Sequence, residues 1–232
     1  MLNISKVPNQ ADLAEFTRFV LNQLGASSIE EFSAKLIAAH QNGDNLTAEI
    51  QDKIIASNEF AQLVDHPMWT ELAADAFDCQ PEDILIAFPH LRIDLPNYFK
   101  KDEVKMSLPW HQEAGYYLSK GNCCPQSVVL STYLHDCDQS GGALEVAPDT
   151  EADVLDHDQR YMDPVSKRFM RVEVPAPETT KYAETRFGET VIFDFLRRHR
   201  SGVNSKDTVR ITFLLRASRR KDVEDYARKA AS

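Results

Sequence analysis

Residues 188 to 216 read GETVIFDFLRRHRSGVNSKDTVRITFLLR, and this stretch contains the features that decide the fold. A glycine precedes a run of β-branched and aromatic residues, which predicts a strand that ends at His199. Ser201, Gly202 and Asn204 are typical of a turn, and Arg210 opens a second apolar run. The stretch therefore predicts two strands joined by a turn.

The sequence on either side extends this pattern. From Asp12 to about Phe77, apolar residues recur at spacings of three and four, which predicts packed helices. Residues 149 to 160 are acidic and poor in strand formers, so they predict a loop. Further strands are predicted in ILIAFPHLRIDL, AGYYLS, SVVLSTYLHDC, GALEVAP and RFMRVEVPAP. Helices followed by strands indicate a β-sandwich or open barrel with helices packed on its outside.

Length and charge exclude several classes of protein. A chain of 232 residues fits one sizeable domain. Its 36 acidic and 26 basic residues, without a long basic run, argue against a nucleic-acid partner and favour small molecules or proteins. Neither a secretory signal nor a run of membrane-spanning length is recognisable, so we expect a cytoplasmic protein without a membrane partner. The oligomeric state is not predicted.

The four cysteines do not form a recognisable framework. Cys79, Cys123, Cys124 and Cys137 include no CxxC pair, which argues against a zinc ribbon or a set of disulfides. The adjacent Cys123 and Cys124 have two interpretations, as a redox-active pair or as small buried hydrophobic residues.

A candidate metal site lies in LPWHQEAGYY, residues 108 to 117. Roughly one His-x-acid match is expected by chance in a chain of this composition, so the spacing alone is weak. Residues two apart on an extended chain point to the same side, which lets His111 and Glu113 bind one ion. His199 is the candidate third ligand. Two imidazoles and one carboxylate leave open positions, as in non-haem Fe(II) oxygenases; the alternative is a strand with an incidental histidine and glutamate.

Three segments, in order, resemble the phytanoyl-CoA dioxygenase family. These are WHQEAGYY, GGALEVAPDT and the 188–216 stretch, and the resemblance covers residues 85 to 217. The family consists of Fe(II)/2-oxoglutarate oxygenases. The resemblance implies a mainly β fold with helices, in one domain. This domain would have a double-stranded β-helix (jelly-roll, cupin-like) core at 84–217, an N-terminal helical layer at 1–83 and a C-terminal helix at 218–232.

The resemblance also implies roles for individual residues. His111, Glu113 and His199 would bind iron, and Arg210 would bind the distal carboxylate of 2-oxoglutarate, assisted by Ser201. An arginine suits this task because its planar guanidinium matches a carboxylate with two parallel hydrogen bonds.

The resemblance also implies further candidate contacts, by position relative to the family's motifs. Asn97 or Tyr98, together with Tyr117, would contact the cosubstrate. Thr132 either lines the barrel or is an ordinary core threonine. Strand alternation directs Arg197 to the same side as His199, where it either binds an anionic group of the substrate or belongs to a solvated strand end.

The sequence departs from the family pattern in two places. Glu113 stands where most members have aspartate, so its longer arm must fold back to reach the metal, which puts iron affinity in question. A carboxylate at this position disfavours the halogenase variant of such sites. Asp149 and Thr150 replace the end of the family's PGSH segment, so the loop toward the substrate should differ.

The function implied by the resemblance is hydroxylation of an aliphatic C–H of a small metabolite, which would be anionic if Arg197 binds it. The reaction would require Fe(II) as cofactor and would consume 2-oxoglutarate and O2, with release of succinate and CO2. Epimerisation, desaturation or ring formation would use the same residues. The alternative is a metal- or ligand-binding β-barrel protein without turnover. A purely structural interaction domain would require all three segments to coincide by accident.

Overall fold

The computed structural model describes residues 1–99, 108–118, 126–162 and 170–230. Side chains are described for these ranges except at 158–162, 170–172 and 230. The predicted pair Cys123 and Cys124 lies outside the described residues.

Five helices form the N-terminal layer, and a sixth follows the last strand. Ser28 caps the second helix, because its side chain accepts a hydrogen bond from the backbone N–H of Glu31. The Glu31 carboxylate accepts in turn from the N–H of Ser27, one residue before the cap, so the return bond resembles that of a capping box but is displaced by one residue. The helices are α1 (Gln10–Asn22), α2 (Ile29–Gln41), α3 (Leu46–Ile55), α4 (Asn58–Val64), α5 (Met68–Phe77) and α6 (Arg220–Ala230).

The strands form two principal antiparallel sheets. A five-stranded sheet has the order β1-β8-β3-β10-β2, and a three-stranded sheet has the order β7-β4-β9. Strands β5 and β6 form a separate pair. The strands are β1 (Leu2–Lys6), β2 (Ile84–Asp94), β3 (Ser127–Tyr133), β4 (Leu144–Val146), β5 (Asp158–Met162), β6 (Met170–Glu173), β7 (Lys181–Ala183), β8 (Glu189–Asp194), β9 (His199–Arg200) and β10 (Arg210–Arg219).

The five-stranded sheet is buried on both faces, which explains the continuous burial of β3. On one face, Leu130 and Phe213 belong to a cluster with residues of the helices. On the other face, Val129 and Phe193 pack with residues of the smaller sheet. Because side chains alternate along a strand, one strand serves both cores. The predicted fold class, a cupin-like jelly roll with an N-terminal helical layer, is confirmed.

Four local predictions differ from the structure. Strand β1 lies within the part predicted to be helical, where it forms one edge of the five-stranded sheet by pairing with β8. AGYYLS, predicted as a strand, contributes instead to a 3₁₀ helix at Glu113–Tyr116. The predicted loop at 149–160 overlaps β5, which begins at Asp158. The strand predicted to reach His199 is interrupted after Asp194 by a turn, and β9 starts anew at the histidine.

None of the helices in the described ranges is both long and apolar enough to cross a bilayer. Among the cysteines in those ranges, Cys79 and Cys137 have free thiols.

Candidate metal centre

His111 and His199 face each other across a single antiparallel bridge. The N–H of His111 donates to the carbonyl of His199 at 3.0 Å, and the N–H of His199 donates back at 2.9 Å. The two imidazole rings lie 4.1 Å apart between centroids. Residues 88 positions apart in the chain are therefore aligned by backbone hydrogen bonds rather than by flexible side chains alone.

Glu113 completes a group of three possible metal ligands. Gln112 has extended backbone angles, φ −109° and ψ 140°, so Glu113 follows His111 on the same side although it begins a 3₁₀ helix. The Oε2 atom of Glu113 is 4.0 Å from Nε2 of His199. One ligand atom from each of the three residues lies within 4.8 Å of the others, and all three side chains are buried.

Hydrogen bonds orient both imidazoles. The Nδ1 atom of His111 lies 2.7 Å from the carbonyl of Pro109, and that of His199 lies 2.9 Å from the carbonyl of Arg197. A carbonyl can only accept, so Nδ1 carries the proton in each ring and Nε2 remains as the ligand atom.

Burial keeps both rings neutral at physiological pH. It is the main cause that lowers the pKa of His111 to about 3 and that of His199 to about 4. The neutral imidazole is the form that binds a metal. Two Nε2 atoms and one carboxylate oxygen fit the donor set of a non-haem Fe(II) site with open positions.

The triad opens into a cavity of about 470 Å³ inside the jelly roll. Its walls come mainly from the inner faces of β2, β3 and β10. Apolar side chains and a few polar groups share the lining, as is usual for small-molecule sites. Besides the triad, the lining includes Arg92, Asp94, Tyr116, Tyr117, Ser131, Tyr133, Leu144, Phe193, Ser201, Arg210, Thr212 and Arg216.

Arg210 reaches this cavity but is extensively hydrogen-bonded. Its Nη2 and Nε donate to Oδ2 of Asp94 at 2.7 and 3.3 Å, and its Nη1 donates to the carbonyls of Gly142 and Gly202. Gly142 has φ +83°, and a Cβ there would lie only 2.9 Å from Nη1 of Arg210. Asp94 also pairs with Arg92 through Oδ1 at 2.7 Å. Two arginines thus share one aspartate, leaving one net positive charge among these three side chains.

Arg216 lies at the metal side of the cavity. Its Nε donates to Oε1 of Glu113 at 2.8 Å, and its Nη2 lies 2.8 Å from the same oxygen as an ion pair. This carboxylate therefore has one oxygen on the arginine and the other toward the histidines.

Several predicted cosubstrate contacts lie elsewhere. Ser201 and Tyr117 line the cavity, whereas Asn97, Tyr98 and Thr132 are not among its lining residues. Asn97 instead accepts a hydrogen bond from the N–H of Asn204, and the exposed Tyr98 donates to Asp207. The hydroxyl of Thr132 lies 2.6 Å from that of Thr190 because alternation along β3 turns it away from the cavity.

Arg197 does not face the cavity, which corrects both interpretations of it. The side chain is buried rather than solvated, and its Nη1 donates to the carbonyls of Ala147 and Pro148 at 2.8 and 2.6 Å. Its Nη2 donates to Thr150 at 2.7 Å. These bonds tie the segment after β4 to the turn before β9, so the structure gives Arg197 an architectural role.

His135, His157 and Trp110 make structural contacts outside the metal site. The Nε2 atoms of His135 and His157 accept hydrogen bonds from backbone N–H groups of Ile211 and Gln112. Trp110 is buried outside the cavity lining, with the Arg200 guanidinium 5.0 Å from its ring centroid. His90, by contrast, lines the cavity.

The sequence interpretation missed Arg92, Asp94, Tyr133 and Arg216. A signal for three of them was present, because charged residues occur at every second position in HLRID and at both ends of RITFLLR. In a strand, such residues lie on one face. Pairing of β2 with β10 then places Asp94 opposite Arg210.

A jelly roll that contains a His-Glu-His triad is the arrangement of a metal-dependent enzyme class, and comparison with known proteins identifies the family. Residues 25–212 match the family model described as phytanoyl-CoA dioxygenase (PhyH). The chain belongs to this family. A comparison with curated proteins finds no significant match.

Solved structures share the fold at low sequence identity. EvdO2 from Micromonospora carbonacea var. aurantiaca, complexed with 2-oxoglutarate, has a TM-score of 0.60 and 16% identity, with 93% of this chain and 85% of that chain covered. Another EvdO2 structure has a TM-score of 0.53 and 20% identity, with 72% of this chain and 63% of that chain covered.

Two further structures extend the comparison to other named activities. The non-heme monooxygenase ThoJ, in its apo form, has a TM-score of 0.56 and 18% identity, covering 93% of this chain and 74% of that chain. SnoN, an α-ketoglutarate-dependent epimerase from nogalamycin biosynthesis, has a TM-score of 0.55 and 14% identity, covering 93% and 76%. The fold is thus shared by proteins with different reactions.

Proposed function

We propose that this protein is an Fe(II)/2-oxoglutarate-dependent oxygenase that hydroxylates an aliphatic C–H of a small molecule. The observation that carries the proposal is the convergence of His111, Glu113 and His199 at the wall of the jelly-roll cavity. Family membership supports the same reaction class. When bound, iron with 2-oxoglutarate and dioxygen supplies the oxidising power, and 2-oxoglutarate is converted to succinate and CO2.

The chain's own residues would hold the cosubstrate by charge. Arg92, Arg210 and Asp94 together carry one net positive charge, which favours the distal carboxylate of 2-oxoglutarate. Arg210 keeps one N–H of Nη2 beyond its bonds to Asp94, because each terminal nitrogen of a guanidinium carries two. Ser201 lies on the same cavity and can donate through its hydroxyl.

The cavity's apolar walls would exclude water from the reacting atoms. Leu144, Phe193 and Leu214 line it together with the buried triad. Exclusion of water strengthens the electrostatic interactions inside and limits side reactions. The volume of about 470 Å³ suits a small substrate beside the cosubstrate.

Tyr116 is the residue best placed for a polar group of the substrate. Its ring meets His111 edge-on, with centroids 5.5 Å apart, and the ring lines the cavity. Its hydroxyl is buried and has no hydrogen-bond partner among the described residues. Because buried polar groups are normally satisfied, we assign this hydroxyl to a bound small molecule.

One observation favours the non-catalytic alternative. Asp94 occupies the Nε–Nη2 edge of Arg210, and Nη1 donates to the carbonyls of Gly142 and Gly202, so neither pair of N–H groups is wholly available for a bidentate carboxylate. A protein that binds a metal without turnover would need no cosubstrate there. The affinity for 2-oxoglutarate in the presence of metal separates the two functions.

The activity is tested by succinate release from the purified, iron-loaded protein with 2-oxoglutarate, in air, against a panel of small carboxylates and neutral metabolites. The oxygenase predicts succinate formation that requires both iron and 2-oxoglutarate and rises with one substrate class, with a hydroxylated product. Retained binding of 2-oxoglutarate without succinate would support the binding protein instead. We place the reaction in the reducing cytoplasm, which suits the free thiols of Cys79 and Cys137.

A further inference from the structure

We propose that Arg216 is a positioning residue that adapts the metal site to a glutamate ligand. This inference rests on the proposed metal-binding function. Its physical basis is the division of the Glu113 carboxylate, in which Oε1 accepts from Arg216 and Oε2 lies 4.0 Å from Nε2 of His199.

A glutamate ligand has more conformational freedom than an aspartate ligand. Its side chain has one more rotatable bond than aspartate, so more arrangements must be given up when it binds a metal. Both nitrogens Nε and Nη2 of Arg216 lie 2.8 Å from the same oxygen of Glu113. With Oε1 held in this way, Oε2 is the oxygen left to bind a metal through a single atom.

Arg216 is itself fixed by the main chain. Its Nη1 donates to the carbonyl of Phe88 at 2.9 Å. Phe88 has φ +49°, a conformation rare for an aromatic residue, at the point where the β2–β10 register shifts. The guanidinium of Arg216 therefore contacts two parts of the chain. Nη1 binds β2 at the bulge, and Nε and Nη2 lie against Glu113.

Burial makes this contact stronger than a surface ion pair. The side chains of Arg216 and Glu113 are 14% and 5% exposed. A buried carboxylate that loses its partner keeps the cost of desolvation, so removal of Arg216 would leave Glu113 free to turn to other partners. Mutation of a residue that hydrogen-bonds to a metal ligand typically lowers metal affinity by about tenfold to a hundredfold.

The sign of the effect separates positioning from simple electrostatics. Arg216 is a cation near a cation site, so removing its charge should tighten metal binding if repulsion were its only influence. If Arg216 positions Glu113, the same removal weakens binding. The two explanations thus predict opposite changes in one measured affinity.

The test uses Co(II) as an iron substitute, titrated anaerobically into the metal-free full-length protein and followed by visible absorption. We expect Arg216→Met to weaken Co(II) binding by about tenfold or more and to alter the spectrum. Arg216→Lys, which retains the charge and one donor, should recover part of the affinity. The matched control is Arg219→Gln, which removes another arginine of β10 that pairs with Asp222, away from the cavity. It should bind like the wild type.

A double-mutant cycle with Glu113→Asp completes the test. The shorter carboxylate cannot reach both the metal and Arg216, so the Arg216→Met effect should shrink in that background. Unchanged or tighter Co(II) binding by Arg216→Met would overturn the inference, as would an equal loss in both backgrounds. Thermal unfolding of the metal-free variants shows whether Arg216→Met fails to fold. If it does, the Co(II) affinity of Arg216→Lys, compared in the Glu113 and Glu113→Asp backgrounds, replaces that of Arg216→Met in the test. Absence of Co(II) binding by the wild type would instead contradict the proposed function.

Discussion

Arg210 and Asp94 stand directly opposite each other in the pairing of β10 with β2, and their side chains form a buried salt bridge of 2.7 Å at the cavity wall. This contact holds the guanidinium at a fixed place before any cosubstrate binds. Because Asp94 takes up donors of Arg210, any binding of 2-oxoglutarate by Arg210 would use the remaining N–H of Nη2 and the net positive charge that Arg210 shares with Arg92 and Asp94.

Replacing Arg210 should therefore affect 2-oxoglutarate more than the metal. Arg210→Lys retains the charge but loses the planar fork, and we expect 2-oxoglutarate affinity to fall by about tenfold to a hundredfold. Calorimetric titration of the Mn(II)-loaded protein measures it. Co(II) affinity serves as the control and should stay near the wild-type value, whereas equal 2-oxoglutarate binding by the variant would assign the cosubstrate to another group.

Changing Glu113 to the family's usual aspartate should not improve this site. Arg216 holds one carboxylate oxygen of Glu113, which stands at the start of a 3₁₀ helix. An aspartate here is one methylene shorter, so we expect that it cannot reach both Arg216 and the metal. We expect Glu113→Asp to weaken Co(II) binding by about tenfold. Tighter binding by the aspartate variant would show that the glutamate is a handicap rather than an adaptation.

The contact between the helical layer and the sheet depends on Phe213. Its fully buried ring packs against Phe16, Phe60 and Trp69, with centroid distances of 6.3, 5.7 and 5.2 Å. Phe213→Ala should lower the free energy of unfolding by about 3–5 kcal/mol, because it leaves a cavity in the core. Urea denaturation measures the loss. As control, the exposed Val203→Ala should change stability by less than about 0.5 kcal/mol, and a similar loss in both would refute this packing account.

Stability of the metal-free protein should fall in mild acid, in part through His135. Burial lowers the pKa of this imidazole below the ordinary 6.5, and its Nε2 accepts from the N–H of Ile211. As pH drops through 6.5, the unfolded chain takes up a proton that the folded protein excludes, so folding becomes less favourable.

The variant His135→Gln retains an acceptor but does not titrate. Urea unfolding at about pH 7.5 and about pH 5.5 should show a smaller stability loss for this variant than for the wild type. Equal losses would exclude His135 as a contributor.

The sequence predicted the layers of the fold more readily than the details of the cavity. Helical periodicity and alternating strands identify which segments pack together, and the fold class follows. Side-chain direction at irregular positions is harder. Strand alternation predicts the direction of Arg197 only if one strand continues to His199, and the turn after Asp194 interrupts that strand.

The missed partners share one physical reason. Asp94 and Arg216 act through cross-strand neighbours, and their significance depends on the register between β2 and β10 and on the bulge near Phe88. Such pairing is a property of two segments more than 100 residues apart. A single strand's sequence shows a charged face but does not identify the residue opposite.

In the proposed function, His111, Glu113 and His199 hold Fe(II) so that 2-oxoglutarate can bind beside it. The most direct measurement is the visible absorption spectrum of the metal-free protein after anaerobic addition of Fe(II) and 2-oxoglutarate. We predict a weak charge-transfer band for the wild type that is absent in His199→Ala. A wild-type protein without the band, or a band that persists in His199→Ala, would contradict the claim.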